Sequence, residues 1–245
     1  MEDKIPKIIH YCWFGKGNKP KIVEKCIESW KRVLVDYKII EWNEENFDIN
    51  CNEYVKEAYE NKKFAFVSDY VRVHALYNMG GIYLDTDTEV FKSLDEFLGE
   101  ESFWGFEEKN YIATSTIGSR KGNKLIKMFL DFYEGKSFNE TSQNLQTSTN
   151  VQIVTNIFKN IGFKMNGEKQ TIEGVGTIYQ QEYFSPYDYL NYYDKKTDKT
   201  YTSHHFYKSW ISPKDKAKSN VKKVLAKIIG GKNIARIRSL VQKEI

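Results

Sequence analysis

Apolar positions along this chain follow two alternating spacings, and their order predicts the fold. Lys7 to Phe14 is a β-branched and aromatic run that ends at Gly15-Lys16-Gly17-Asn18, the pattern of a buried first strand and its turn. Pro20 opens a segment in which Ile22, Val23, Cys26, Ile27 and Trp30 recur at helical spacing, and Tyr37 to Trp42 reads as a second strand. A short helix is predicted over Glu53 to Glu60. The longer segment Phe64 to Met79 sets Phe66, Tyr70, Val73 and Tyr77 on one face, and Gly80-Gly81 stops it as a C-terminal cap does. Ile82-Tyr83-Leu84 then reads as a strand running straight into Asp85-Thr86-Asp87. Strands are predicted over Phe103 to Glu107 and around Tyr111 to Ile117, with helices over Asn123 to Tyr133 and near Val151 to Phe158. Such an order predicts the α/β class, with a Rossmann-like, mostly parallel mixed sheet flanked by helices.

Candidate chemistry concentrates at Asp85-Thr86-Asp87. Carboxylates at i and i+2 point to opposite faces of an ideal strand, but where a strand ends and turns they can converge on one hard cation. In open α/β sheets that carboxyl end is where ligands bind. As a bare motif the pair is more often a solvated turn than a site, so its neighbours decide. Upstream, Asp69 and Arg72 stand at i and i+3 and share one helical face, either as an internal ion pair or as a polar site. His204-His205-Phe206 supplies two imidazoles far along the chain. Tyr187, Tyr189, Tyr192 and Tyr193 cluster before them, either lining a groove or packing.

Composition narrows the class. With 245 residues, 40% hydrophobic and 29% charged, the chain has no run near the ~18 apolar residues of a membrane span. The start, Met1-Glu2-Asp3-Lys4, is too acidic for a signal peptide, which sets the expectation of a cytoplasmic protein. Cys12, Cys26 and Cys51 are odd in number and lack CxxC spacing; buried free thiols are expected, not a disulfide framework or a zinc knuckle. The net charge of +4 is uneven: Lys214 to Ile245 holds ten basic and two acidic residues, leaving an acidic body. Two units are therefore expected, an acidic body over 1–213 that does separate work and a basic amphipathic helical tail over 214–245. In the tail, Val221, Val224, Leu225, Ile228 and Ile229 form an apolar stripe, Gly230-Gly231 breaks it, and Asn233 is placed to cap a second short helix. The tail either packs on the body or meets an anionic membrane surface. Nucleic acid is not expected as a partner, because the acidic body opposes it.

The stretch Ser68-Asp69-x-x-Arg72-x-x-x-Leu76-x-x-x-Gly80-Gly81-Ile82-Tyr83-Leu84-Asp85-x-Asp87 resembles the core signature of glycosyltransferase family 32 and is similar to the glucosylating domains of large clostridial toxins. Ile5-Pro6-Lys7-Ile8-Ile9-His10 with Trp13-Phe14-Gly15 resembles the family's opening strand, and His204-His205-Phe206-Tyr207-Lys208-Ser209-Trp210 its closing motif. Thr147-Ser148-Thr149-Asn150 stands where relatives often carry a Gly-Pro step.

The resemblance implies a GT-A type fold and a retaining, divalent-metal-dependent transfer of a hexose from a nucleotide sugar to a saccharide or lipid-linked saccharide acceptor, in surface polysaccharide or glycoconjugate synthesis such as capsule formation. It implies that Asp85 and Asp87 meet the ion, with His205 as the first choice for a third ligand and His204 as the reserve. Mn2+ suits such a shell, with Mg2+ close behind. Trp13 would stack on the base, Tyr83 and Asp85 would lie by the donor, and Ser209 and Trp210 over the diphosphate. Asp69 and Arg72 would bind donor-sugar hydroxyls or phosphate. UDP-galactose and UDP-glucose lead as donors, and the working mechanism is front-face transfer in which the leaving phosphate takes the acceptor proton. Two rival readings are kept. Asp85-Thr86-Asp87-Thr88 also satisfies the pattern of a haloacid-dehalogenase-like phosphatase, with Asp85 as nucleophile, and a non-catalytic carbohydrate-binding protein is the other.

Overall fold

The computed structural model describes residues 4–108, 110–142, 149–207, 228–234 and 236. β1 (Ile8–Cys12), α1 (Lys21–Val33) and β2 (Lys38–Trp42) form the predicted β-α-β unit, in which β1 and β2 pair in parallel. Next come α2 (Glu53–Glu60), α3 (Phe64–Met79), β3 (Gly81–Leu84) and the short β4 (Thr88–Val90). β5 (Ser102–Glu108), β6 (Tyr111–Ile112), β7 (Thr116–Ser119), α4 (Lys124–Asp131), α5 (Phe138–Ser142) and α6 (Asn150–Asn160) complete the middle of the chain. The last part holds β8 (Gln170–Ile172), β9 (Gly176–Tyr179), α7 (Gln181–Phe184), the hairpin β10 (Tyr187–Asp188) and β11 (Tyr193–Asp194), and β12 (Thr202–His204).

The main sheet has the order β2-β1-β3-β7-β5-β9-β8, with β6 attached to β5. Its pairings orient β1, β2, β3, β5 and β9 one way and β6, β7 and β8 the other, so the sheet is mixed and mostly parallel. Strand alternation builds two apolar layers from it. Ile9, Tyr11, Ile82, Leu84 and Phe103 face one layer with Val23, Cys26 and Trp30 of α1; Cys12, Tyr83, Trp104 and Phe106 face the other with α2, α3, α4 and α6. Both faces are covered, as a largely parallel sheet requires.

Phe66, Tyr70, Val73 and Tyr77 all belong to one apolar layer, Val73 buried and the other three partly covered, while Val67, Val71, Ala75 and Leu76 bury the rest of the packed surface of α3. Two expectations are corrected. The single strand expected around Tyr111 to Ile117 is two, and the break at Ala113-Thr114-Ser115 frees backbone carbonyls that the site uses. Cys12 and Cys26 are buried and free as expected, whereas Cys51 is exposed.

Gly80 caps α3 at φ 67°, and Gly81 follows at φ 105°. A β-carbon on Gly81 would lie 2.7 Å from the Ile8 carbonyl oxygen and 3.0 Å from His10 Nε2. That close approach lets His10, fully buried, hold the turn. Trp42 Nε1 donates to His10 Nδ1 at 3.1 Å, so the neutral ring carries its proton on Nε2, which donates to the Gly80 carbonyl at 2.8 Å. Burial lowers its pKa to about 4. Behind β4, the fully buried Trp30 donates from Nε1 to the Thr88 carbonyl at 2.6 Å and fixes the strand after the acidic turn against α1.

Most of the basic tail, and with it the predicted apolar stripe up to Lys227, lies outside the described residues. Among those described, Ile228 and Ile229 are helical and exposed, Gly230 breaks the helix at φ 86°, and helix resumes at Gly231. Asn233 is inside that turn, its N–H bonded to the Gly230 carbonyl, so Gly230 occupies the capping place expected for Asn233. Gly231 lies tightly against Asn191 and Tyr193 of the β10–β11 hairpin.

Candidate metal and sugar-nucleotide site

β3 ends at Leu84, and the chain turns at once: Thr88 N–H donates to the Asp85 carbonyl at 2.9 Å, closing a turn around Thr86 and Asp87. Asp85 N–H donates to the Ser115 carbonyl in the β6–β7 break. This turn brings the two carboxylates, which a continuing strand would separate, to one side. β12 pairs antiparallel with β4 in the register His204 opposite Thr88, and that pairing delivers a histidine to the same place.

Asp85, Asp87 and His204 each offer a ligand atom within 4.8 Å of the others. His204 Nε2 is 3.2 Å from Asp87 Oδ1 and 4.0 Å from Asp85 Oδ2. Two carboxylate oxygens and one imidazole nitrogen are a donor set that fits a divalent ion such as Mn2+ or Mg2+. Among the described residues His204 Nδ1 is buried without a hydrogen-bond partner, so the other ring nitrogen makes every polar contact described for this side chain. Burial opposes charge on both groups, but their mutual attraction prevails: His204 is raised to about 9 and Asp87 is lowered to about 2. Tyr207 N–H also donates to Asp87 Oδ2 at 2.7 Å. The chain reaches that position through Phe206 at φ 51°, a left-handed conformation disfavoured for a residue with a side chain.

The structure does not bring His205 into this group. Its backbone N–H donates to the Asp87 carbonyl, but its ring points to Glu89, with Nε2 3.0 Å from Oε2. His204, expected as the reserve, takes the place expected for His205, because the β4–β12 register sends adjacent side chains to different sides.

A second layer lies beside the carboxylates. Arg72 is buried, and its Nη2 contacts Asp69 at 2.7 Å and Asp85 at 3.3 Å, while Nη1 donates to the Thr114 carbonyl at 2.8 Å. Although burial disfavours its charge, Asp85 and the other neighbours hold it firmly cationic. Tyr83 was expected to present its ring and hydroxyl to a ligand. It is 2% exposed, and the guanidinium lies over its ring at 4.6 Å, so it serves as the floor on which Arg72 rests. Asp69 is raised to about 6, by burial first and Asp85 next, against the pull of Arg72.

Asp69 also accepts from Asn150 Nδ2 at 2.6 Å, and Asn150 accepts in turn from Tyr133 at 2.6 Å. Sequence reasoning did not assign this residue. Its signal was Thr149-Asn150 opening a helix: Thr149 caps α6, which fixes Asn150 on the first turn facing Asp69. Glu107, buried at the end of β5, also acts on the His204 ring and was likewise unassigned.

Trp13 follows β1 at the carboxyl edge of the sheet, next to β3. It is half-buried, with Nε1 donating to the Gly17 carbonyl at 2.7 Å and Lys19 over its ring. Ser209 and Trp210 lie outside the described residues.

Residues 20–104 match the family model described as a glycosyltransferase sugar-binding region containing a DXD motif. Inositol phosphoceramide mannosyltransferase 3 of Schizosaccharomyces pombe is 30% identical over 129 residues, half of this chain and 35% of that protein. An uncharacterised glycosyltransferase of Acanthamoeba polyphaga mimivirus is 31% identical over 132 residues, 50% of this chain and 53% of the relative. The chain thus spans about half the length, or less, of these relatives. Among solved structures, the PaToxG glycosyltransferase gives a TM-score of 0.49 at 17% identity, covering 65% of this chain and 70% of the other. The galactosyltransferase LgtC in complex with donor and acceptor sugar analogs gives 0.41 at 14% identity, covering 89% and 95%. Likenesses that distant carry no functional inference.

Proposed function

We propose that the chain is a retaining, divalent-metal-dependent glycosyltransferase of the GT-A type that moves a hexose from a nucleotide sugar to a saccharide or lipid-linked saccharide acceptor. The observation that carries this reading is the convergence of Asp85, Asp87 and His204 on one point, with the Arg72-Asp69-Asn150 chain alongside. Within the resemblance to family 32, UDP-galactose and UDP-glucose remain the leading donors. The mannosyltransferase relatives favour a second donor, GDP-mannose.

Asp85, Asp87 and His204 would hold Mn2+ or Mg2+, and a bound ion there neutralises the growing negative charge of a leaving diphosphate. Asp69, fixed by Arg72 and Asn150, accepts hydrogen bonds from donor-sugar hydroxyls. Arg72, its buried fork taken up by Asp69, Asp85 and the Thr114 carbonyl, shields the carboxylates from one another and holds them in place instead of meeting the donor directly. Trp13 offers a flat face at the sheet edge for the base. No further acid is assigned the nucleophile's role, and front-face transfer stays the mechanism, with the leaving phosphate taking the acceptor proton.

A phosphatase of the haloacid-dehalogenase type fits less well. Its nucleophile must be free to attack, whereas Asp85 is engaged by Arg72 and faces His204 of β12 at 4.0 Å.

We further propose that the tail over 214–245 attaches the enzyme to the anionic inner face of the cell membrane. Its charge supports this, as do the exposed Ile228 and Ile229 beside exposed Lys232. The test of the function is a panel of UDP-galactose, UDP-glucose, UDP-N-acetylhexosamines and GDP-mannose, scored for Mn2+-dependent nucleotide release. Release from one of them is expected, and release from none would overturn the reading.

A further inference from the structure

Apart from the carboxylate-imidazole group, the structure holds a cleft of about 260 Å³ lined by Tyr187, Asp194, Lys196, Ser203 and His205. It forms where the β10–β11 hairpin leans over β12, and its lining comes from both elements. We propose that this cleft binds one uncharged sugar ring of the acceptor. The word acceptor rests on the glycosyl-transfer reading above; the sugar binding itself does not.

Size is the first argument. Sites for drug-sized ligands run to about 300–1,000 Å³, so this cleft suits a single ring. Chemistry is the second. The lining offers a hydroxyl, an imidazole, a carboxylate and an ammonium as hydrogen-bonding groups, with the Tyr187 ring as a flat face for the C–H side of a pyranose.

Charge is the third argument, because each charged group already has a partner. Lys196 pairs with Asp194 at 3.2 Å and lies over the Phe91 ring at 4.5 Å. His205 is held by Glu89 at 3.0 Å, and Glu89 also meets Lys25 at 3.3 Å. Among the described lining residues a phosphate or carboxylate ligand would find no unmatched cation, whereas a polyol can exchange hydrogen bonds with both pairs.

Position is the fourth. Tyr187 contacts Phe206 at 6.1 Å between ring centres, and Phe206 contacts the His204 ring at 4.1 Å. His205, in the cleft wall, bonds through its backbone to Asp87. The cleft, on the His205 side of β12, is thus linked to the group that would hold the ion through the Tyr187–Phe206–His204 ring contacts.

The test is saturation-transfer NMR on the full chain with methyl glucosides, galactosides and mannosides as probes, and with inorganic phosphate as the anionic control. Signals from at least one glycoside are expected. Tyr187→Ala and the less buried Lys196→Ala should each weaken its binding roughly fivefold or more, the loss expected for one hydrogen-bonding or packing partner. Mn2+-dependent binding of UDP, measured on the same samples, should be unchanged and thereby reports a folded protein. No glycoside signal in the wild type, equal signals in both variants, or phosphate displacing the glycoside would overturn the assignment. Variant-sensitive sugar signals with neither UDP nor GDP binding would sustain the cleft and overturn the donor reading instead.

Discussion

Asn150 donates a hydrogen bond to Asp69 at 2.6 Å and joins the first turn of α6 to the helix that carries Asp69 and Arg72. The contact holds a largely buried carboxylate in one orientation beside Asp85. Asn150→Ala leaves Asp69 with Arg72 as its described partner and frees it to turn. Turnover is expected to fall by about 10–100-fold, the range for residues that orient a functional group from behind. Affinity for Mn2+ should be nearly unchanged, and a full loss of metal binding would contradict this positioning role.

The two histidines separate cleanly. His204 faces both aspartates while His205 faces Glu89, so His204→Ala should weaken Mn2+ binding by at least about 100-fold and His205→Ala should leave it near the wild-type value. Calorimetric titration of Mn2+ into each variant checks the pair, and the opposite order would refute the geometry.

The reasons for that reversal show what the sequence displays and what it hides. Asp69, Arg72, Gly80, Gly81, Asp85 and Asp87 lie within one stretch of chain, where helical and strand spacing alone fix their neighbours. Which of two adjacent histidines faces the carboxylates depends instead on the register of β12 against β4, a pairing between distant segments. Strands β8 to β12 have two to four residues, too few to show a period, and none was read in advance. Asn150 has no motif of its own, since only tertiary packing makes it a partner of Asp69. Tyr83 was misread for the same reason: its place in the strand was legible, but not the guanidinium above it.

Stability should depend on pH through His10. Its pKa is lowered in the fold to about 4 from an ordinary value near 6.5, so the unfolded chain takes up a proton first. The stabilisation is complete above about pH 6.5 and is lost as pH falls toward 4. Between about pH 7.5 and pH 5 this costs about 2 kcal/mol. Asp69 and His204, whose pKa values the fold raises to about 6 and about 9, act in the opposite sense in both proteins, so urea unfolding at the two pH values should show the wild type changing by about 2 kcal/mol less favourably than His10→Gln. Equal changes in both would assign the pH dependence elsewhere.

Removing residues 214–245 should abolish salt-sensitive co-sedimentation with anionic liposomes. At roughly 1 kcal/mol per basic residue near a surface, even half of the tail's charge supplies several kcal/mol. Metal-dependent nucleotide-sugar hydrolysis should persist in the truncated chain. Liposome binding that survives the truncation would reject the membrane role.

The central claim is tested most directly by comparing nucleotide release from the productive nucleotide sugar in wild type and Asp87→Asn, at limiting Mn2+. The substitution preserves size but removes the carboxylate that faces His204 and accepts from Tyr207. Release that requires Mn2+ in the wild type and falls by at least about 100-fold in Asp87→Asn is the predicted result. Release that is independent of metal, or equal in the two proteins, would contradict it.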